Sequence, residues 1–90
     1  LGFDLLIDED TIVRSSTIRA ISARRVPGWL KVMSRSLLDD NYVIQRAAMD
    51  GLLEDQTEGI PELIKYVSKN PQSRISNLIQ NELRRKGVQP

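Results

Sequence analysis

Residues 39–69 read DDNYVIQRAAMDGLLEDQTEGIPELIKYVSK, and the sequences on both sides of this stretch resemble it at a spacing of 31 residues. Aliphatic residues recur at that interval in two series, which are Val13, Ile44 and Ile75, and Ile21, Leu52 and Leu83. A fixed period of about 20–50 residues is typical of a solenoid, in which each unit buries its apolar face only against its neighbours. The spacing therefore predicts units at approximately residues 8–38, 39–69 and 70–90.

Each unit is predicted to contain two helices, because its apolar residues recur at i, i+3 and i+4 in two successive segments. In the first unit the helices are predicted over residues 9–23 and 27–37. In the second unit the first helix is predicted over 41–54, and Thr57 is expected to cap the helix that follows. The third unit contributes one helix over 72–86. No stretch alternates with the period of two that predicts a strand.

The same spacing predicts which side chains are buried. In the first helix of each unit the inward residues are Ile12, Val13, Ser16, Thr17, Ala20 and Ile21, then Val43, Ile44, Ala47, Ala48, Gly51 and Leu52, and finally Ile75, Leu78, Ile79 and Leu83. In the second helices they are Trp29, Val32, Met33 and Leu37, followed by Ile60, Leu63, Ile64 and Val67. Small residues at Ala47, Ala48 and Gly51 are expected to let another helix approach closely.

The composition excludes several classes of function. The chain has 13 basic and 12 acidic residues and a net charge of +1, which gives no global attraction to nucleic acid or to anionic lipid. It has no cysteine and no histidine, so disulfides, thiolate metal sites and the commonest general base are all absent. Its apolar runs are far shorter than the roughly 20 residues of a membrane-spanning helix. We expect a cytoplasmic, non-enzymatic protein with no cofactor, no metal and no membrane partner.

The first residues of the chain continue the period. Leu6 and Ile7 precede Leu37 and Leu38 by 31 residues. Residues 1–7 are therefore predicted to be the end of a helix that belongs to a preceding unit, and the chain is predicted to be a single repeat domain or a fragment of a longer solenoid. Apolar surfaces exposed at its ends would also allow end-to-end self-association.

The second unit carries the most informative motif. In residues 40–48, Asp-Asn-Tyr-Val-Ile-Gln-Arg-Ala-Ala, an acidic turn leads to aliphatic residues, a basic residue and two alanines, and Pro61 lies early in the next helix. This pattern resembles the HEAT-like, armadillo-type helical repeats, especially the short bacterial kind. The other apolar positions that match are Leu38, Leu52, Ile60, Leu63 and Ile64. The first unit departs from the pattern, since Ser15-Ser16-Thr17 replaces the basic residue and alanines.

The resemblance implies an all-α fold, a right-handed α-solenoid of about three HEAT-like helix-pair repeats without a β-sheet. In such families the stacked second helices line a concave surface that binds other macromolecules. On this chain, the residues expected on the outward side of the second helices are Lys31, Arg35, Lys65, Tyr66 and Lys69. Arginine and tyrosine are favoured at binding hot spots. We interpret these residues as a strip that binds an acidic protein partner, and the alternative is an ordinary solvated helix face.

Two further basic clusters, Arg24-Arg25 and Arg84-Arg85-Lys86, close predicted helices, where cations neutralise the helix dipole. Their alternative role is phosphate contact, but no aromatic residues alternate with them as a stacking platform for bases.

Three functions are consistent with the sequence. The first is a non-enzymatic scaffold that binds a protein partner. The second is nucleic-acid binding, because some HEAT-like proteins are DNA glycosylases that use aromatic and acidic residues in a basic concave channel. Glu62 is the only outward carboxylate here, so the resemblance fails on its catalytic part. The third is an accessory or regulatory segment of a larger enzyme. Of these, we favour the protein-binding scaffold over the nucleic-acid-binding domain.

Overall fold

The computed structural model describes residues 9–88, and these residues form five α-helices. The helices are α1 (Glu9–Arg24), α2 (Trp29–Ser36), α3 (Tyr42–Leu53), α4 (Gly59–Lys69) and α5 (Arg74–Arg85). Residues 9–88 contain no strand, so the all-α prediction is confirmed for this part of the chain. The helix end predicted at residues 1–7 lies outside the described residues, as do residues 89–90 of the third unit.

Local side-chain chemistry determines where several helices begin and end. The side chain of Asn41 accepts hydrogen bonds from the backbone amides of Val43 and Ile44, at 2.8 Å and 3.4 Å, and so caps α3. Gly28 precedes α2 with a φ of 85°, a conformation that favours glycine. Gly87 follows α5 with a φ of 82°, as expected for the residue that ends a helix in the left-handed conformation.

The prediction that Thr57 caps the fourth helix is wrong. The carboxylate of Asp55 does so instead, because its Oδ2 accepts hydrogen bonds from the amides of Glu58 and Gly59, both at 2.8 Å. These two hydrogen bonds, helped by the charge of Arg25, hold the pKa of Asp55 below its ordinary value of 3.8, against the opposing effect of desolvation. An acidic side chain also suits the positive end of the α4 dipole.

The third helix is the centre of the molecule, and it contacts each of the other four helices. α1 and α5 both contact α3 but do not contact each other. α2 contacts α4, and α2 does not contact α5. A salt bridge joins α1 to α3, with Arg19 Nη1 3.0 Å from Asp50 Oδ2, and these two residues are 31 positions apart.

The predicted core is confirmed for most positions on α2 to α5. The predicted inward residues that are buried are Trp29, Met33, Leu37, Ile44, Ala47, Ala48, Gly51, Leu52, Ile60, Leu63, Val67, Ile75, Ile79 and Leu83. The predicted close approach at the small residues of α3 is also present. A Cβ atom added to Gly51 would lie 2.5 Å from Ser22 Oγ of α1, so this contact requires glycine.

The predicted inward face of α1 is wrong except at Ile21, which is partly buried and packs against the core. Ile12 is 52% exposed and Val13 is 62% exposed, although Ile44, the residue 31 positions after Val13, is only 1% exposed. The other predicted positions on this side that are exposed are Ser16, Thr17 and Ala20. The buried residues of α1 are instead Thr11, Ile18 and Ser22. The cause is the number of neighbours, because α1 contacts only α2 and α3 among the described helices, whereas α3 is covered on several sides.

A smaller correction concerns α2. Val32, which is predicted to point inward, is 37% exposed, whereas Leu30 is partly buried and packs against the core. Trp29, Met33 and Leu37 recur every four residues and define the buried side of this short helix. Leu30 lies beside that side of the helix and Val32 does not.

Candidate partner-binding surface

The residues of the predicted strip come from two neighbouring helices. Lys31 and Arg35 lie on α2, and Lys65, Tyr66 and Lys69 lie on α4. The four cationic side chains are exposed. α2 has no acidic residue, and Glu62 is the only acidic residue of α4, so the two helices together present mainly positive charge.

Tyr66 does not lie outward as predicted, because it is only 9% exposed. Its hydroxyl forms a hydrogen bond of 2.8 Å with Ser73 Oγ, the residue that precedes α5. The ring therefore belongs to the packing between α4 and α5, with its polar end satisfied locally, as is usual for a buried tyrosine. Tyr66 is therefore not an exposed aromatic tip of the strip, whose exposed members are the four cations.

A groove of about 330 Å³ lies between α2 and α4. Two of the predicted cations, Lys65 and Lys69, line it, and they are one helical turn apart. Lys31 and Arg35 do not line this groove. Its lining also includes the buried Tyr66 and Leu38, which is 64% exposed.

Leu38 is the functional candidate that the sequence reasoning did not include in the strip. Leu37 and Leu38 are adjacent in sequence, and Leu37 is completely buried. Leu37 continues the four-residue series of Trp29 and Met33, which is buried, whereas Leu38 falls outside that series. That spacing was the available signal.

The cations of this surface lack acidic partners. In the described part of the chain, no ion pair includes Lys31, Arg35, Lys65 or Lys69. Glu62 lies in the same groove, where its carboxylate accepts a hydrogen bond of 2.7 Å from Ser34 Oγ and links α4 to α2. The groove therefore combines a small apolar area with two lysines and one carboxylate.

A second concave surface, between α1 and α3, differs in this respect. A cavity of about 680 Å³ lies between α1 and α3, and three of the charged residues that line it, Arg19, Arg25 and Asp50, form ion pairs. Arg19 pairs with Asp50, and Arg25 Nε lies 3.7 Å from Asp55 Oδ1. The guanidinium of Arg25 also lies 4.5 Å from the centre of the Trp29 ring, a cation–π contact. These pairs account for part of the first basic cluster without any ligand.

Two hydroxyls of the Ser15-Ser16-Thr17 run are bound to the backbone of their own helix. The hydroxyls of Ser15 and Thr17 donate hydrogen bonds to backbone carbonyls one turn earlier on α1. Within residues 9–88, no group of three acidic side chains comes together in a way that could hold a metal ion. None of the helices between Glu9 and Arg85 has both the length and the apolar composition that crossing a membrane requires.

Comparison with protein-family models, with curated proteins and with solved structures found no match to this chain. The resemblance to HEAT-like repeats therefore stays a prediction from the sequence.

Proposed function

We propose that this chain is a non-enzymatic scaffold of HEAT-like repeats that binds a short acidic segment of a partner protein on the surface formed by α2 and α4. The observation that carries the proposal is a set of exposed cations that have no acidic partner within residues 9–88, beside a groove with an exposed leucine. A cytoplasmic location belongs to the same proposal, since a chain without cysteine is compatible with a reducing compartment.

The order of helix contacts supports a solenoid arrangement. α1, α3 and α5 contact one another in sequence, α2 contacts α4, and helices two units apart within residues 9–88 do not touch. In a solenoid each unit contacts only its neighbours. The salt bridge between Arg19 and Asp50 joins residues 31 apart, as expected when successive units stack in register.

Charge complementarity supports an acidic partner. Lys65 and Lys69 project from one side of α4, so acidic residues of a bound segment could pair with both while an apolar side chain covers Leu38. Charges at the rim of such an interface mainly raise the association rate and set the preferred sign of the partner. Burial of the apolar side chain would slow dissociation.

The test is selection from a pool of short randomised peptides, followed by affinity measurement for the selected sequences by fluorescence anisotropy. We expect enrichment of peptides that combine acidic residues with a large apolar residue. Replacement of Lys65 and Lys69 by alanine should weaken binding by about two- to thirtyfold, at ~0.2–1 kcal/mol for each exposed pair. Leu38→Ser should weaken it by about tenfold, mainly through faster dissociation.

The matched control is Arg24→Ala, which removes an exposed cation without an ion pair at the end of α1, away from the groove. It should leave the affinity unchanged. Tyr66 stays intact in this series of variants, because its replacement by alanine would remove a buried ring. The proposal would be contradicted if the selected peptides showed no enrichment in acidic residues. Equal affinities for the groove variants and for Arg24→Ala would also contradict it.

Nucleic-acid binding is the second candidate, because the same unpaired cations could contact phosphates. It predicts binding to generic duplex DNA at low salt. The logarithm of the binding constant should fall by about 0.9 per neutralised phosphate for each tenfold rise in salt concentration. Replacement of Lys31, Arg35 and Lys65 by alanine should remove that binding. Failure to bind duplex DNA at low salt would eliminate this candidate and leave the peptide-binding proposal intact.

A further inference from the structure

The groove between α2 and α4 holds charges of both signs that form no ion pair within residues 9–88. Lys65 and Lys69 line it, and so does Glu62. Glu62 is partly buried, yet its carboxylate has no cationic partner in the described part of the chain. Charged groups at binding surfaces are arranged so that the partner supplies the opposite charge. A ligand of this groove therefore has a cation to place as well as acidic residues.

Two lysines are positioned near Glu62 without neutralising it. Lys65 follows it by three residues on the same helix, a spacing at which ion pairs form. Lys31 lies on the neighbouring α2, 31 positions before Glu62. Among residues 9–88, neither lysine forms an ion pair with Glu62. Instead, Glu62 Oε2 accepts a hydrogen bond of 2.7 Å from Ser34 Oγ, which holds the charged carboxylate toward α2 in the groove.

The charges of the groove follow a definite order along α4. Glu62, Lys65 and Lys69 are three and four residues apart, so they lie on one side of the helix, with the carboxylate nearest its N-terminus. Glu62 and Lys69 are separated by about 10 Å along the helix axis, at ~1.5 Å per residue. In an extended peptide, at ~3.3 Å per residue, this distance corresponds to about three residues. A ligand that matches all three charges has its own charges in the opposite order over that length.

We propose that Glu62 is a specificity determinant of the groove, and that the bound segment carries an arginine or lysine about two to four positions from its acidic residues. This cation pairs with Glu62 while the acidic residues pair with Lys65 and Lys69. The inference rests on the proposed peptide-binding function and names the ligand more narrowly. It also separates the ligand from nucleic acid, whose phosphates Glu62 would repel.

The test repeats the peptide selection with Glu62→Gln, which removes the charge and keeps an oxygen that can accept the hydrogen bond of Ser34. The wild-type chain should enrich acidic residues together with one cationic position. Glu62→Gln should enrich the acidic residues alone, and that enrichment also reports that the variant is folded. A cationic position that is missing with the wild-type chain, or that persists with Glu62→Gln, would overturn this inference and leave the proposed function standing. Absence of acidic enrichment with the wild-type chain would overturn both.

Affinity measurements on one selected peptide give the size of the effect. Replacing its cation by glutamine should weaken binding to the wild-type chain by about two- to fivefold, the range for one exposed ion pair. The same peptide change should not alter binding to Glu62→Gln, because the pair is already absent. Ser34→Ala should reduce the effect of the peptide cation, since the carboxylate loses the hydroxyl that positions it.

The matched control is Glu58→Gln. Glu58 is exposed, forms no ion pair within residues 9–88 and does not line the groove. The peptide cation should keep its full effect on binding to this variant. An equal effect of the peptide change on the wild-type chain and on Glu62→Gln would overturn the inference.

Discussion

Replacement of Gly51 by alanine tests the close contact between α1 and α3 directly. A Cβ atom at this position would lie 2.5 Å from Ser22 Oγ and 2.6 Å from Ser22 Cβ. Packed interiors do not accommodate heavy atoms at such distances, so α1 would have to move away from α3 or Ser22 would have to shift. Met33 Sδ, at 3.4 Å from the same Cβ, is close enough to limit movement in another direction.

The expected magnitude is the balance of two opposing effects. Alanine is favoured over glycine inside a helix by about 0.5–1 kcal/mol. Overpacking a well-packed contact costs about 1–3 kcal/mol. We therefore expect Gly51→Ala to reduce the free energy of unfolding by about 1 kcal/mol, which lowers the Tm of a domain of this size by about 4–8 °C.

The assay is urea unfolding followed by far-UV circular dichroism, with four variants. Gly51→Ala is compared with Ser22→Gly, which removes both atoms that the new Cβ would meet, and with the double variant. The double variant should be more stable than the sum of the two single effects predicts, because the steric conflict is gone. Ala20→Gly measures the helix-propensity effect alone, since Ala20 is the exposed equivalent of Gly51 on α1, 31 positions earlier.

The result that would refute this reasoning is a gain in stability for Gly51→Ala equal to the loss for Ala20→Gly. It would mean that only helix propensity acts at Gly51 and that α1 does not approach α3 closely. Additive effects of Gly51→Ala and Ser22→Gly would contradict the contact independently.

The remaining predictions concern the core, the α4 cap and the groove. Ala47→Phe should destabilise the domain by about 1–3 kcal/mol through overpacking, and an unchanged Tm would mean that this side of α3 is not buried. The pKa of Asp55 is lower in the folded state than its ordinary value of 3.8, so its carboxylate should stabilise the fold at pH values above 3.8. This stabilisation should be lost as the pH falls through the folded-state pKa. Asp55→Asn should therefore flatten the acid side of a plot of unfolding free energy against pH. Tyr66→Phe should cost about 0.5–1.5 kcal/mol in urea unfolding by removing a hydrogen bond. It should leave peptide affinity unchanged, and reduced affinity would mean that the hydroxyl contacts the peptide.

The helices and most of the core could be predicted because the relevant information is local. On α3 the apolar and small residues recur at helical spacing, and Gly87 follows α5 where a left-handed residue is needed. On α2, Trp29, Met33 and Leu37 face the core as their spacing indicates. These features depend on backbone geometry within one helix.

The candidate site was predicted only in part. The exposure of its four cations could be anticipated, because a charged side chain is rarely buried without a partner. Tyr66 could not be placed in the same way, since its ring is apolar and its hydroxyl is polar, and a tyrosine suits either environment. Its position was decided by α5, which supplies Ser73 as a partner within 2.8 Å. Leu38 differs, because the spacing of Trp29, Met33 and Leu37 already indicated a buried side that excludes it.

The amino-acid order specified where helices form and which residues could be buried, since helical periodicity and capping act over a few residues. The packing of helices against one another decided which of those residues are buried. Val13 and Ile44 occupy equivalent positions, yet one is 62% exposed and the other 1% exposed. The physical reason is that burial needs a second surface, and a helix with fewer neighbours leaves part of its apolar side uncovered.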